Sequence, residues 1–591
     1  MLRHYIVHFV RNLQRQRLFS FINLLGLTVT IACTLLIYLY VRHEFSYDRF
    51  HKNADRIYRI NQTFIWGENS DNQFASTGPG VAYAVKAEVP EVELITSIHT
   101  PGNFIISYTT PSKEIIAFEE DKVLAADTNF FKMFNFPFVR GNAASALQQA
   151  NTLVMTESTA QKYFGEEDPI GKLVRLGGLN GNDQKTYEVT SVVKDTPDNS
   201  YIEFDVLLSM KSFPIDKLYW SWIWTQLETY VLLDAAADIE NGRARLAPIP
   251  RKHAEQTLQW VMNTTFDDYI KSGKKWELFL QPMTRIHLPS ETVLNRLNDS
   301  GNIKIIYSLI GAAVVIVLLS CVNFMNLSTA QFTRRIKGKL KVGREGKSFR
   351  NGLVVFQFSV SIALMISTVI VFEQLNYVSE KDLDFNKENL LVLKHVEGVQ
   401  NGESMANAAM HAPGVVQVSW CTSLPPTIGG GDKFSAEDMN GNTFSLNYTS
   451  GDEQYIPTLD IKLKFGRNFS PDAPGNINKV ILNETAIKKI GWNLDESVIG
   501  KKLEYPNSNE ARFEVVGVVA DFNYWSLETP IEPMAIFHIK NKNINAGDRQ
   551  FIALRISAQN SNAWQTTFAT PNKVWKEHAG DTPFEYAFAD A

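Results

Sequence analysis

Cysteine is scarce in this sequence. Its 591 residues include three, Cys33, Cys321 and Cys421, and the first two fall in apolar runs. Only Cys421 lies in a polar region, so no disulfide within such a region is available. Chemical motifs are missing as well. There is no G-x-x-x-x-G-K-[ST] loop, so the chain is not expected to hydrolyse ATP itself. Neither an H-E-x-x-H helix, a C-x-x-C pair nor a G-x-S-x-G elbow is present. The eleven histidines are dispersed. His4 and His8 are four residues apart, but polar contacts at an interface account for them more simply than a bound metal does. The run "IGGGDKF" (428–434) is glycine-rich. No helix follows it directly to form an anion site, so it reads as a flexible loop. Nothing marks any pair of acids as catalytic. The residues therefore predict no catalytic, cofactor-binding or metal site, and an enzyme has nothing to stand on.

Charge is also nearly absent from three stretches, and each is long enough to cross a bilayer. They are residues 18–41, 303–327 and 352–376. The third is the most polar, with Gln357, Ser359, Ser361, Ser367 and Thr368. The first is too long for a signal-peptide core and "YLYVRHEF" follows it without a small-x-small site, so it reads as an uncleaved anchor. Arg3, Arg11, Arg15 and Arg17 precede it with no acid among them. Between the second and third runs lie Arg334, Arg335, Lys337, Lys339, Lys341, Arg344, Lys347 and Arg350 against the single acid Glu345. Basic residues in short loops stay in the cytoplasm. Residues 1–17 and the loop 328–351 are thus expected inside, and the polar regions 42–302 and 377–591 outside. Leu2, Tyr5, Ile6, Phe9, Val10 and Leu13 recur at helical spacing, which predicts an amphipathic interfacial helix over 1–17. Asn23, Thr28, Thr30, Thr34, Asn323 and Gln357 are polar within the runs. Contact with another helix explains them more readily than a transport path does.

What is abundant is internal repetition. "VMTESTAQKYFGEEDPIGK" from Val154 matches "ILNETAIKKIGWNLDESVIGK" from Ile481. Glu157 pairs with Glu484, Lys162 with Lys489, and Gly171-Lys172 with Gly500-Lys501. "YEVTSVVKD" (187–195) matches "FEVVGVVAD" (513–521), and Gly141 stands opposite Gly466. "SFINLL" (20–25) aligns with "SFRNGL" (348–353), so each unit reads as a membrane helix followed by an exterior domain. "WELFLQPM" (276–283) corresponds to "FEYAFADA" (584–591), after which a returning membrane helix is expected.

Within each exterior unit the pattern is mixed. Thr156 starts a helix, Glu157 suits the positive end of its dipole, and Gly165 is placed to end it. In "TYEVTSVV", Tyr187, Val189 and Ser191 fall on one face and Glu188, Thr190 and Val192 on the other, which predicts a strand. "EFDVLLSM" and "TYVLLDA" read as further strands, and "KHAEQTLQWVMNTTFDDYI" (252–270) as one helix. The fold class expected is α+β: two homologous exterior domains on three membrane helices.

Several long segments resemble a known family. "NLQRQRLFSFINLLGLTVTIACTLLIYLYVRHEFSYDRFHKNADRIYRI", "TESTAQKYFGEEDPIGK", "SCVNFMNLSTAQFTRR", "FRNGLVVFQFSVSIALMI" and "DFNKENLLVLK" are similar to two-repeat ABC-transporter permeases of the MacB/FtsX/LolC type, especially the long Bacteroidetes form. The match covers nearly the whole chain in the family's order. It implies MacB-like periplasmic core domains and a multi-pass protein of the bacterial inner membrane with a cytoplasmic N-terminus. It implies pairing as a homodimer or with a second permease, and a separate ATPase subunit that holds the ATP, so that no cofactor belongs to this chain. Hydrolysis there would work the exterior domains by mechanotransmission. Peptides, lipoproteins, drugs or partner proteins of the periplasm would be the substrates, lipid the surroundings, and nucleic acid no partner.

One departure from the family's pattern stands out. Members follow "STAQFTRRIK" with a segment like "EIGIRKVLGA" and two more helices, whereas "GKLKVGREGKSFRNG" follows here. Two helices are expected to be missing at this point and about three beyond Ala591. Losing an even number keeps both exterior domains on one side. The missing part is where the family meets its ATPase, and Arg334, Arg335 and Lys337 are the remnant that the resemblance assigns to the coupling side. Retention of the loop in the cytoplasm explains the same charges. Two alternatives stay open: a membrane-tethered periplasmic binding or adaptor module, and a truncated permease without function.

Overall fold

The computed structural model describes residues 17–589 apart from 65–72, 179–183, 291–292, 295, 336–343, 397–401, 427, 429–430, 440–441, 471–474, 507–510, 526, 528–529, 545–549 and, save 572 and 575, 558–583. The interfacial helix expected over 1–17, with His4 and His8, falls almost wholly outside the described residues, which begin at Arg17. The chain divides into two compact units. Unit one comprises Met1–Gly102, Lys122–Lys172 and Glu188–Gln374, and unit two Asn103–Asp121, Leu173–Tyr187 and Leu375–Ala591.

Among the described residues, three helices are long and apolar enough to cross a membrane: Arg17–Glu44, Ile303–Arg335 and Arg344–Glu380. The serines and threonine of the third do not prevent this. The Thr368 hydroxyl donates to the Leu364 carbonyl one turn back, at 2.8 Å, which satisfies it without water.

The core of unit one is a mixed sheet. Its strands run in the spatial order Ile57–Phe64, Leu227–Leu233, Val92–His99, Val123–Ala126, Val206–Ser209, Thr152–Thr156 and Lys185–Val193, with Trp276–Pro282 alongside the first. Every residue of Leu227–Leu233 is buried. Tyr230 and Leu232 pack into one apolar cluster with Phe130, Phe134 and Phe204. Val231 and Leu233 pack into another with Trp222 and Trp276. Both faces of the sheet are therefore covered. Phe130 is fully buried, and truncating it to Ala is worth about 3–5 kcal/mol.

Unit two repeats this order with Leu390–Leu393, Phe551–Ile556, Val415–Cys421, Phe444–Gly451, Met534–His538, Lys479–Asn483 and Ala511–Val519, and Tyr586–Phe588 alongside the first. The sequence repeat is thus a repeat of strand order. It extends to single hydrogen bonds. Gly171 N–H donates to the Val189 carbonyl and Gly500 N–H to the Val515 carbonyl, each at 2.8 Å. Ser158 N–H donates to Asp195 Oδ1 and Thr485 N–H to Asp521 Oδ1, each at 3.0 Å. Those aspartates follow the matched strands by two residues and satisfy an N–H in the first turn of the matched helices. The helix expected at Thr156 is Glu157–Phe164, with Gly165 closing it.

Two local expectations are corrected. Residues 252–270 do not form one helix but parts of three: Ile249–His253, Glu255–Met262 and Phe266–Lys271. Asn263 turns left-handed (φ 50°), and the Thr265 hydroxyl accepts from Asp268 N–H to start a new helix, a local capping choice that outweighs the apolar periodicity. The glycine-rich 428–434 is not a loop throughout. From Gly431 it is the strand Gly431–Ala436, which pairs with Phe444–Gly451 and Lys502–Tyr505. Apolar burial of Phe434 holds it there.

Candidate functional site

The first two apolar helices pack together within unit one. On the first, Gly26, Thr30, Cys33, Thr34, Ile37, Val41 and Glu44 are shielded from solvent while most residues between them are exposed. That spacing of three and four is one helix face. On the second, Ile306, Leu309, Ala313, Ile316, Ser320 and Asn323 form the matching stripe. A Cβ placed on Gly26 would stand 4.0 Å from Asn323 Nδ2, whereas Glu44 lies near Gly301. The pair is therefore antiparallel, and the small Gly26 lets the backbones approach. Asn323, Thr30 and Thr34 thus lie on the helix–helix face, as the sequence suggests for polar residues. Thr28 does not: it is exposed.

The first helix ends in a buried carboxylate–imidazole contact, close to where the chain enters the second helix. Glu44, the last residue of the first helix, is 9% exposed. Its Oε2 lies 2.9 Å from His287 Nε2. The Tyr47 ring stacks on the His287 ring with centroids 3.4 Å apart. Burial, followed by the Glu44 charge, raises the Tyr47 pKa. Gly301 precedes the second helix by two residues, and a Cβ there would come within 3.0 Å of Glu44 Oε2 and 2.8 Å of Leu288 Cδ2. Only glycine lets the chain pass this close without displacing them. Just beyond, Asp48 takes a left-handed backbone (φ 59°). Its Oδ1 accepts the Tyr201 N–H at 2.8 Å, and its Oδ2 is buried without a hydrogen-bond partner among the described residues. Burial pushes this carboxyl up to about 7. His51, three residues on, is pushed down to about 3 by burial.

A second polar cluster lies behind this junction. Arg59 is fully buried. It donates to Tyr201 Oη at 2.7 Å, to Asn61 Oδ1 and Gln281 Oε1 at 2.9 Å, and to Glu228 Oε1 at 3.2 Å. Burial works against the Arg59 charge, but Glu228 more than offsets it and raises the pKa above its usual value. Glu228 also accepts from Tyr230 Oη at 2.6 Å and from the backbone N–H of Leu297 at 2.9 Å. Leu297 belongs to the segment that leads into the second helix. The network thus ties that segment to three strands of the sheet, with every charge paired. A cleft of about 400 Å³ opens beside it, with Glu228, Arg296 and Leu297 in its wall.

The residues named from sequence lie elsewhere. Arg334 and Arg335 are the last two residues of the helix Ile303–Arg335, at the end remote from Glu44. Its 33 residues make it about 50 Å long at 1.5 Å per residue. Lys337 lies outside the described residues. Sequence reasoning missed Glu44, His287 and Gly301. Glu44 and His287 are 243 positions apart, and no motif links them. The one usable signal was an acid closing an apolar run at Glu44.

The sequence profile of the MacB-like periplasmic core domain family matches residues 20–249 and 352–563, well over half of the chain. A domain of a protein from Porphyromonas gingivalis described as a permease is similar at 24% identity, over 44% of this chain and 98% of that one, with a TM-score of 0.33. The periplasmic region of MacB from Actinobacillus actinomycetemcomitans shows 21% identity over 36% of this chain and 94% of its own, with a TM-score of 0.26. The extracellular domain of the noncanonical ABC-type transporter YknZ from Gram-positive bacteria shows 15% identity over 38% and 99%, with a TM-score of 0.24. No curated protein matches the chain.

Proposed function

Since this chain belongs to the MacB-like periplasmic core domain family of ABC-transporter permeases, we propose that it carries motion between a separate ATPase and its periplasmic units. Permeases of this type work with such an ATPase. In this reading the chain sits in the bacterial inner membrane with Arg334, Arg335 and Lys337 on the cytoplasmic side, where they meet the ATPase. Two copies pair, and the cargo is a periplasmic peptide, lipoprotein or drug extruded outward. The observation that supports this best is the Glu44–His287 pair. It ties the end of the first apolar helix to the segment that follows the strand Trp276–Pro282, and Gly301, just before the second helix, passes against the same carboxylate, so a displacement of the first helix is passed to the exterior unit.

The test is purification of the full chain from membranes together with its ATPase. A fluorescent probe is placed at Tyr83→Cys after the three native cysteines are replaced. An ABC ATPase should copurify, and Arg334→Glu with Arg335→Glu should lower its recovery. Glu44→Gln and His287→Gln should leave recovery unchanged but suppress the ATP-dependent change in the probe. Absence of any ATPase, or a wild-type probe response in both junction variants, overturns the reading.

A further inference from the structure

We propose that unit two holds a divalent metal ion, with zinc the best fit, between His395, Glu119 and Glu585. His395 Nε2 lies 3.0 Å from Glu119 Oε2 and 3.4 Å from Glu585 Oε2. The three ligand atoms all fall within 4.8 Å of one another. Zinc bonds of about 2.0–2.1 Å to imidazole nitrogen and carboxylate oxygen, at the tetrahedral angle, place donor atoms about 3.3 Å apart. The observed separations bracket that edge length.

The fold builds this arrangement from three directions. His395 follows the strand Leu390–Leu393 on a left-handed backbone (φ 63°) and is 4% exposed. That strand pairs with Tyr586–Phe588 in a register that sets Leu393 opposite Tyr586. The next step of the ladder, Lys394 N–H to the Glu585 carbonyl at 3.0 Å, brings Glu585 beside His395. Glu119 comes from the hairpin of Phe104–Thr109 and Ile115–Glu120, which unit two includes. Asn103 Nδ2 donates to Glu119 Oε1 at 2.6 Å, so this carboxylate is held with Oε2 turned to His395. An outer-shell donor of this kind fixes a ligand's orientation.

Charge points the same way. Two carboxylates around one imidazole leave the cluster negative whether or not the imidazole is protonated, and a divalent cation compensates what the imidazolium alone does not. Glu585 is about one-third exposed while the side chains of the other two are 12% and 4% exposed. The site is thus closed on two sides and open on the third. One nitrogen and two carboxylate oxygens with an open position suit zinc better than calcium, which takes six to eight oxygens. The ion would pin the Ile115–Glu120 hairpin to the strand end that carries His395. The sequence showed none of this, because its three ligands are separated by hundreds of residues and share no spacing motif.

The experiment uses the full chain in detergent, stripped with EDTA and titrated with zinc chloride by calorimetry, with metal content measured after dialysis. One zinc per chain is expected. Glu585→Gln, which keeps the shape of a partly exposed side chain, should weaken binding by more than about tenfold, and Asn103→Ala by about tenfold. His395→Ala should abolish it. Cobalt(II) in place of zinc should give the intense visible bands of a four-coordinate site, and Glu585→Gln should alter them. If no zinc is retained at micromolar free metal, the three side chains form an ion-paired cluster only and the proposal fails. Undiminished binding in both Glu585→Gln and Asn103→Ala would place the metal elsewhere and overturn it equally.

Discussion

Asp127 and Asp452 make the same two hydrogen bonds in the two halves of the chain. Asp127 accepts the Ser97 N–H at 3.0 Å and the Thr96 hydroxyl at 2.9 Å. Asp452 accepts the Trp420 N–H at 2.9 Å and the Ser419 hydroxyl at 2.7 Å. Each carboxylate thereby holds the strand beside it, and in each case burial raises its pKa despite those bonds.

Stability should depend on pH through Asp452. Burial, with a smaller push from Glu453, raises its carboxyl from 3.8 to about 6. The folded chain then binds a proton more tightly than the unfolded chain does. Its contribution to stability is greatest below pH 4 and declines as pH rises to about 6, by up to about 3 kcal/mol. Thermal melts of the full chain between pH 4 and 7 should show this decline, and Asp452→Asn should reduce it, leaving the part that Asp48 contributes.

Breaking the Arg59 network on one side should be costly. Glu228→Gln leaves Arg59 buried with its charge unmatched, a loss of about 3–5 kcal/mol in denaturant unfolding. The double change Arg59→Met with Glu228→Leu removes both charges and should recover more than half of that loss. A double variant as unstable as Glu228→Gln alone would show that the neighbours, Tyr201 and Tyr230, need the ions more than the ions need each other.

Matched glycines should respond unequally. Gly466 has φ 71°, and a Cβ there would run into the Val516 carbonyl oxygen. Gly500 has φ 92° with nothing within 4 Å of where a Cβ would stand. Gly500→Ala bears only the backbone strain, about 1–2 kcal/mol. Gly466→Ala bears that plus a collision with main chain, and should cost at least about 1 kcal/mol more. Gly141 repeats the tight case, with the Thr190 carbonyl oxygen 2.8 Å from the added carbon. Equilibrium unfolding of the three variants checks the ranking.

Both units should lie on one side of the membrane. Tyr219 in unit one is 61% exposed and Trp525 in unit two 52%. Cysteines introduced at these positions, in a background without native cysteines, should react with an impermeant maleimide from the same face of intact cells. Labelling of one and protection of the other until lysis would reverse the orientation inferred from the basic residues.

Much of the fold was legible because its signals are local. Gly171 and Gly500, or the aspartates at 195 and 521, announce a backbone conformation within a few residues, so duplication of the motif meant duplication of the turn. The apolar runs were equally plain, since length and missing charge suffice. The break at Asn263 was not plain. The periodicity of 252–270 favours one helix, and only the left-handed Asn263 and the capping Thr265 override it. The site was the least legible part. Glu44 meets His287, and Arg59 meets Glu228, through strand order that no spacing encodes.

The length of the second helix has a mechanical consequence. About 50 Å of helix extends from Ile303 to Arg335, whereas the hydrocarbon of a bilayer is about 30 Å thick. If it pivots where Gly301 passes against Glu44, it acts as a lever arm. A tilt of about 10° about that fulcrum sweeps Arg335 through about 9 Å. A sub-ångström adjustment at the pivot thus corresponds to a stroke as wide as a helix at the far tip.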